Sequence, residues 1–161
     1  MKKILRRGIY TAYIEFCRYS QFDLKSCGFA VYIYQNENYV ASIKRCCRVC
    51  QFIELDAVIK TLETVPKRSS ITIILPENTK KGLIDVLRCN KKAKGNMKEM
   101  ISFFYASGKK NVKIKKANEI TRGKEFIKSI VEDFCYHSVV ANPNLFAKHS
   151  KSEGVLEIEV L

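Results

Sequence analysis

The sequence predicts an α/β fold of the mixed α+β type, in which one five-stranded sheet is flanked by helices. Three observations predict it: three alternating segments near the N-terminus, one short continuous apolar run in the middle, and amphipathic segments of helical spacing between and after these. Together they give the order βββαβααβα. Strands that come first and then alternate with helices are typical of one mixed sheet covered by helices.

The first three strands are expected to form an antiparallel meander. Residues 8–17 alternate in polarity, and "CGFAVYIYQ" (27–35) and "YVASIKRCC" (39–47) do the same. The polar stretch "RYSQFDLKS" is expected to connect the first two segments, and "NEN" gives the turn between the second and the third.

The remaining elements follow from spacing and from breaker residues. Phe52, Leu55, Ile59 and Leu62 recur at helical steps, and the pattern stops at Pro66. The continuous run "SSITIILPE" predicts a strand buried on both faces of a partly parallel sheet. A helix from "NTKKGLIDVLR" is interrupted by a basic run and resumes in "MKEMISFFYASG", before the strand "NVKIKKA" and the final amphipathic helix "TRGKEFIKSIVEDFCYHSVV".

The composition change after residue 140 predicts a domain at 1–140 and a linker with a strand-like tail at 141–161. The tail ends in the alternating, acidic segment "VLEIEVL". Such a strand suits two roles: it could complete an edge of the sheet, or it could add to the sheet of a protein partner.

The charge balance favours a polyanionic partner. The chain has 161 residues, 47% of them apolar, and a formal net charge of +13, which attracts nucleic acid, although an acidic protein partner remains an alternative. No apolar run reaches the roughly 18 residues that a membrane helix needs. Without a signal peptide, and with seven irregularly spaced cysteines, the chain is expected to be cytoplasmic with reduced thiols.

Four segments, in this order, resemble the ribonuclease H-like fold over roughly residues 6–138. "IYTA" resembles the family's first-strand motif hydrophobic-x-Thr-Asp, and "IELDAVIKTLE" its Met-Glu-Leu helix. "LPENT" is similar to its Thr-Asp-Ser, and "RGKEFIKSIV" to the run that opens its last helix. The resemblance implies that Ala12, Glu54, Glu77 and Lys128 occupy the four acidic positions of the family.

The resemblance implies a two-metal nuclease site, which these residues fit poorly. Clustered carboxylates hold two divalent cations in such a site, and magnesium prefers oxygen ligands. Ala12 provides no ligand, and the Lys128 ammonium repels cations, although it could form a salt bridge with Glu54 and Glu77. The departure predicts a domain without catalysis and without a cofactor.

Two alternatives keep an active site open. Glu15 could supply the first carboxylate beside Glu54 and Glu77, with magnesium or manganese, if a bulge brought it to the face of Ala12. The chain would then be a metal-dependent ribonuclease H-type endonuclease for RNA–DNA hybrid or structured nucleic acid. Ala12 could also be an engineered replacement of an aspartate.

Two basic clusters are the candidate nucleic-acid contacts, with RNA or RNA–DNA hybrid favoured over duplex DNA. The clusters consist of Arg88, Lys91, Lys92, Lys94 and Lys98 in the central run, and of Lys113 and Lys115 on one face of a strand. No phosphate loop or dinucleotide motif indicates a small-molecule substrate.

The segment "CCRVC" contains Cys46, Cys47 and Cys50 in a C-x-x-C spacing, but it lacks the second cysteine pair of a typical zinc site. We therefore interpret these residues as thiols. The sequence as a whole favours a non-catalytic ribonuclease H-like module that binds nucleic acid or assembles a larger nucleoprotein complex. A protein-interaction domain for an acidic partner is the further alternative.

Overall fold

The computed structural model of the protein describes residues 4–21, 24–48, 52–89, 102–103, 105–117, 126–147 and 154–161. The strands are β1 (Ile9–Gln21), β2 (Leu24–Gln35), β3 (Asn38–Cys47), β4 (Ser70–Leu75), β5 (Asn111–Lys116) and β6 (Val155–Val160). The helices are α1 (Ile53–Thr64), α2 (Lys81–Cys89) and α3 (Phe126–Ala141), followed by a 3₁₀ turn at Pro143–Phe146. Residues 102–103 and 105–107 are also helical.

The strands form one mixed sheet in the order β5-β4-β1-β2-β3-β6. β4 pairs parallel with both β1 and β5, whereas β2, β3 and β6 each pair antiparallel with the strand before them in the sheet. The prediction of a mixed sheet flanked by helices is confirmed, but the count of five strands is wrong. The sixth strand comes from the tail, because "VLEIEV" pairs with the free edge of β3.

The first hairpins are longer and tighter than the sequence predicted. The stretch "RYSQFDLKS" is not simply a connection, since β1 continues to Gln21 and β2 begins at Leu24. β2 and β3 are joined by Asn36 and Glu37, whose φ angles are 50° and 67°. Positive φ at both central residues is typical of the type I′ turn, whose twist matches that of the strands.

The sheet has two faces that are covered by different helices. Successive strand residues point to opposite faces, so Tyr10, Ala12 and Ile14 of β1 share what we call the α1 face, and Tyr13, Glu15 and Cys17 share the α3 face. On the α1 face lies the larger core, which α1 and α2 close. On the other face, α3 packs against β1, β2 and β3 over a smaller core.

The burial of β4 reflects the unequal coverage of the two sheet faces by the helices. Its Ile71, Ile73 and Leu75 are buried on the α1 face, whereas Thr72 and Ile74 on the other face are only half-buried. The prediction that both faces of this strand are buried is therefore wrong.

Among the described residues, no helix is long and apolar enough to span a membrane.

Candidate functional site

Ala12 is a core residue in the middle of β1. It pairs with Ile33 of β2 and with Ile73 of β4, and all three side chains are 0% exposed. The methyl group therefore fills a narrow space between two isoleucines on the α1 face. Nothing at this position faces a cleft or offers a ligand.

The two glutamates that the resemblance aligned with the family's acids lie on other elements than Ala12. Glu54 is in the first turn of α1 and is half-buried. Glu77 is exposed and follows the end of β4 at Leu75. That end is already two residues, or about 7 Å, past Ile73, the residue level with Ala12.

The pairing of β1 with β2 places Glu15 on the α3 face. The register runs without a bulge from Thr11 to Gln21, with Ala12 opposite Ile33 and Glu15 opposite Ala30. Three residues separate Glu15 from Ala12, so the two side chains leave opposite faces of the sheet. The bulge that would have brought Glu15 to the face of Ala12 is absent from this register.

Lys128 lies close enough to Glu15 for its charge to act on the Glu15 carboxyl. Burial beneath α3 raises the pKa of the Glu15 carboxyl above its ordinary value, while the Lys128 charge and the Phe16 backbone N–H act in the opposite direction. Within the described residues no ion pair of 4 Å or less joins Lys128 to Glu54 or Glu77. The predicted salt bridge among those three is therefore wrong.

The residues do not fit the divalent metal pair that the fold implies. Ala12 provides no oxygen, and Glu15 emerges on the other side of the sheet. In the part of the chain that the structure describes, no three His, Cys, Asp or Glu side chains approach closely enough to hold one ion. The assignment of these positions to a former metal site stays a prediction.

The described basic residues differ in role. Lys113 and Lys115 are exposed on the α3 face of β5, beside Thr72 and Ile74, where α3 leaves the sheet open. Arg88 is exposed at the end of α2, and its Nε–H donates to the Ile114 carbonyl at 2.9 Å. Part of its guanidinium therefore fixes α2 to β5. The other predicted contacts, Lys91, Lys92, Lys94 and Lys98, lie outside the described residues.

Lys110 is a lysine of the same segment with a structural role. Its Nζ donates to the carbonyls of Leu62 at 2.8 Å and Ala106 at 2.7 Å, which satisfies a carbonyl in the last turn of α1. Burial lowers the pKa of this amine. The sequence "KKNVKIKK" does not distinguish Lys110 from the exposed lysines beside it, because all of them carry the same charge.

The C-x-x-C segment does not form one ligand set. Cys46 and Cys47 are adjacent in β3 and are buried on opposite faces, and Cys50 lies outside the described residues. Burial raises the pKa of Cys47 to about 11. Cys17, Cys46 and Cys135 are free thiols. Cys27 is disulfide-bonded, so the expectation of reduced thiols is wrong for Cys27.

Sequence reasoning missed a group of thiols beneath α3. Cys17 and Cys46 both pair with Gly28 of β2, and a Cβ at Gly28 would overlap the Cys135 sulfur. Hydrogen bonding from Cys135 lowers the pKa of both Cys17 and Cys46. The spacing of these cysteines carries no signal, because only the strand register makes them neighbours.

A second missed contact joins the sheet to α1. The Arg45 guanidinium donates to the Asp56 carboxylate at 2.7 Å, with side chains 16% and 30% exposed. Arg45 leaves β3 on the α1 face, so the pair holds the first turns of α1 against the sheet. Asp56 lies two residues after Glu54 in the segment "IELDAVIKTLE". The resemblance of this segment to the family's helix pointed to Glu54 and gave no reason to expect a contact from Asp56.

The fold resembles that of solved ribonuclease H domains. One is the N-terminal RNase H domain of a Mycobacterium tuberculosis protein, with a TM-score of 0.58, 11% identity, and coverage of 80% of this chain and 98% of that one. RNase H1 from the archaeon Halobacterium salinarum gives 0.58 and 12%, covering 79% and 99%. LC11-RNase H1, solved in complex with RNA/DNA hybrid, gives 0.56 and 10%, also covering 79% and 99%.

By sequence the chain stands apart from characterised proteins. No family model matches it, and no curated protein matches it. At identities of 10–12% to the solved domains, the similarity establishes the fold but not the chemical activity. The chain has a ribonuclease H-like fold.

Proposed function

We propose that this protein is a non-catalytic ribonuclease H-like module that binds nucleic acid within a larger nucleoprotein complex. The observation that carries the proposal is the burial of Ala12 between Ile33 and Ile73. A bridging carboxylate at this position would have to lie in an apolar core instead of facing a substrate. We propose that this function needs no cofactor and that it takes place in the cytoplasm.

The charge of the molecule supports a nucleic-acid partner. The chain carries a net charge of +13, and the exposed Lys113 and Lys115 project from the part of the sheet that α3 leaves open. Lysine ammonium groups bind backbone phosphates as point charges without reading bases. We favour RNA or RNA–DNA hybrid as the partner, and one structural neighbour was solved with such a hybrid bound.

A cleavage assay tests the absence of catalysis. Purified protein is incubated with RNA–DNA hybrid, duplex DNA and single strands in the presence of magnesium or manganese. The proposal predicts intact substrates at all times. Metal-dependent cleavage that the Glu54→Gln variant abolishes would overturn it and would establish the active endonuclease instead.

Binding measured against salt concentration tests the nucleic-acid interface. Neutralised phosphates make log affinity fall linearly with log salt, by about 0.7–0.9 per contact. The double variant Lys113→Gln/Lys115→Gln should bind more weakly and lower the slope by about 1.4–1.8. The matched control, Lys25→Gln/Lys67→Gln, removes two exposed charges elsewhere and should leave the slope nearly unchanged.

The same titration separates a nucleic-acid partner from an acidic protein partner. No affinity for hybrid, duplex or single strands at low salt would eliminate the proposed function. If the two double variants lost affinity for nucleic acid equally, the attraction would come from net charge alone. That result would contradict a binding interface on β5.

A further inference from the structure

The two edges of the sheet carry opposite charges. β5 forms one edge and β6 the other, and within the described residues no strand pairs with the outer side of either. β5 reads "NVKIKK" and β6 reads "VLEIEV". The lysines and the glutamates of these strands are exposed, as are Leu156 (39%) and Ile158 (49%).

The hydrogen bonds already made show which backbone groups point outward. In β5 the N–H of Asn111 donates to β4, as does that of Ala117 just after the strand, so the peptide groups of 112, 114 and 116 face away from the sheet. In β6 the N–H of Leu161 donates to Val40 of β3, so those of 156, 158 and 160 face away. Each edge therefore directs the peptide groups of three alternate residues away from the sheet.

The side chains of these edges match when a second copy continues the sheet. β5 is parallel to β1, whereas β6 is antiparallel to β3 and hence to β1, so β6 of one copy meets β5 of the next in antiparallel fashion. With Ile158 placed opposite Ile114, the two outward-facing sets of peptide groups meet. The same register puts Glu157 opposite Lys115 and Glu159 opposite Lys113.

These pairs lie on the same side of the joined sheet. Lys113 and Lys115 are on the α3 face of β5, and Glu157 and Glu159 are on the α3 face of β6, opposite Lys44 and Ser42. Opposite charges directly across antiparallel strands attract. On the other face, Val160 comes to lie opposite Val112.

We propose that the β6 edge of one copy binds the β5 edge of a second copy and extends the sheet from molecule to molecule. The contact is heterologous, so it produces open chains of copies instead of a closed pair. Pairing of two β6 edges is disfavoured, because a two-fold arrangement about Ile158 sets Glu157 of each copy against Glu159 of the other.

Arg88 is the group that this contact displaces. Its Nε–H now donates to the outward carbonyl of Ile114 at 2.9 Å, which is the acceptor that the Ile158 N–H takes in the joined sheet. One side-chain donor is thus exchanged for one backbone donor. A side chain over an open edge is also a usual means of limiting uncontrolled strand pairing.

A charge-swap experiment tests the proposal. The first variant is Lys113→Glu/Lys115→Glu and the second is Glu157→Lys/Glu159→Lys, studied as nuclease-treated protein at about 0.15 M salt, where the screening length is about 8 Å. Sedimentation velocity over a range of concentrations should show reversible association of the wild-type protein. Each variant alone should associate at least about tenfold more weakly, since both pairs become repulsive.

The mixture of the two variants gives the decisive result. The β6 edge of the first variant is still acidic and the β5 edge of the second is still basic, so the mixture should associate more strongly than either component alone. The net-charge control, Lys25→Glu/Lys67→Glu, should associate as the wild type does. The single swaps Lys115→Glu and Glu157→Lys repeat the test if a double variant does not fold.

Three outcomes overturn the proposal: a wild-type protein that stays monomeric at every concentration, variants that associate as strongly as the wild type, or a mixture that stays monomeric. The proposal does not depend on nucleic-acid binding. Glu157→Lys/Glu159→Lys should lose self-association while it retains binding to nucleic acid, so failure of one idea is distinguishable from failure of the other.

Discussion

Replacement of Ala12 by aspartate introduces the residue that the resemblance to ribonucleases H predicts at this position. In this protein the new carboxyl would lie between Ile33 and Ile73, both 0% exposed. We expect Ala12→Asp to destabilise the fold and to confer no metal binding. The reason is that the site is a packed part of the core and not an empty pocket.

The magnitude follows from two costs. A buried carboxyl without a hydrogen-bond partner costs about 1–3 kcal/mol, and the extra volume in a packed core costs about 1–3 kcal/mol more. The sum of about 2–6 kcal/mol is a large share of the roughly 5–15 kcal/mol that stabilises a typical domain. For a chain of this length the melting temperature should fall by about 5–20 °C.

The effect should depend on pH in a defined direction. Burial raises the pKa of the introduced carboxyl above its unfolded value of about 3.9, so the charged form opposes folding. The destabilisation is therefore smallest below about pH 4 and grows as pH rises toward the folded pKa. The control Ala12→Asn has nearly the same shape and cannot ionise, so its destabilisation should not depend on pH.

Thermal unfolding of the two variants, with and without magnesium, is the measurement. We expect the two curves to separate as pH rises from 4 to 7, and magnesium to leave both unchanged. An aspartate variant as stable as the wild type at pH 7, or one that magnesium stabilises, would refute this account of Ala12. It would show that a metal site is vacant there after all.

Four further variants test other contacts of the structure. Asp56→Asn removes the carboxylate that accepts from Arg45 at 2.7 Å and should lower the free energy of unfolding in urea by about 1–3 kcal/mol; an unchanged midpoint would count against this contact. Gly28→Ala places a Cβ against both the Arg45 carbonyl of β3 and the Cys135 sulfur of α3 and should cost about 1–3 kcal/mol. Gly82→Ala, with open space around it, should stabilise α2 by about 0.5–1 kcal/mol; the reverse order would contradict the close packing around Gly28. Burial raises the pKa of the Glu15 carboxyl above 4.5, so the stability that this carboxyl contributes is lost as pH rises through its folded pKa. Glu15→Gln should therefore be more stable than the wild type above about pH 4.5 and equally stable at lower pH. Parallel pH profiles of the two proteins would argue against this burial.

Most of the fold could be predicted from local patterns. The alternation of β2 and β3, the helical spacing of α1 and the turn at Asn36 all act over a few residues, and each appears in the structure close to where the pattern placed it. β6 was harder to place, because its pattern is that of any exposed strand. Which edge it joins depends on β3, which lies more than 100 residues earlier in the chain.

The candidate site could be predicted less well, because function depends on which residues become neighbours. The sequence placed Glu15 and Ala12 on opposite faces of one strand, and the register agrees. It gave no means to find the approach of Lys128 to Glu15 or the thiols gathered around Gly28. Those contacts arise from the position of α3 across three strands, which no local spacing records.

The pairing of β6 with β3 has a consequence for synthesis on the ribosome. Cys46, the partner of Val155 in the last pair of these strands, leaves the ribosome more than 100 residues before Val155 does. At a usual rate of translation this leaves the edge of β3 uncovered for roughly 5–20 s. During that interval the nascent chain exposes the open edge of a strand of ten residues, which can pair with other chains until β6 covers it.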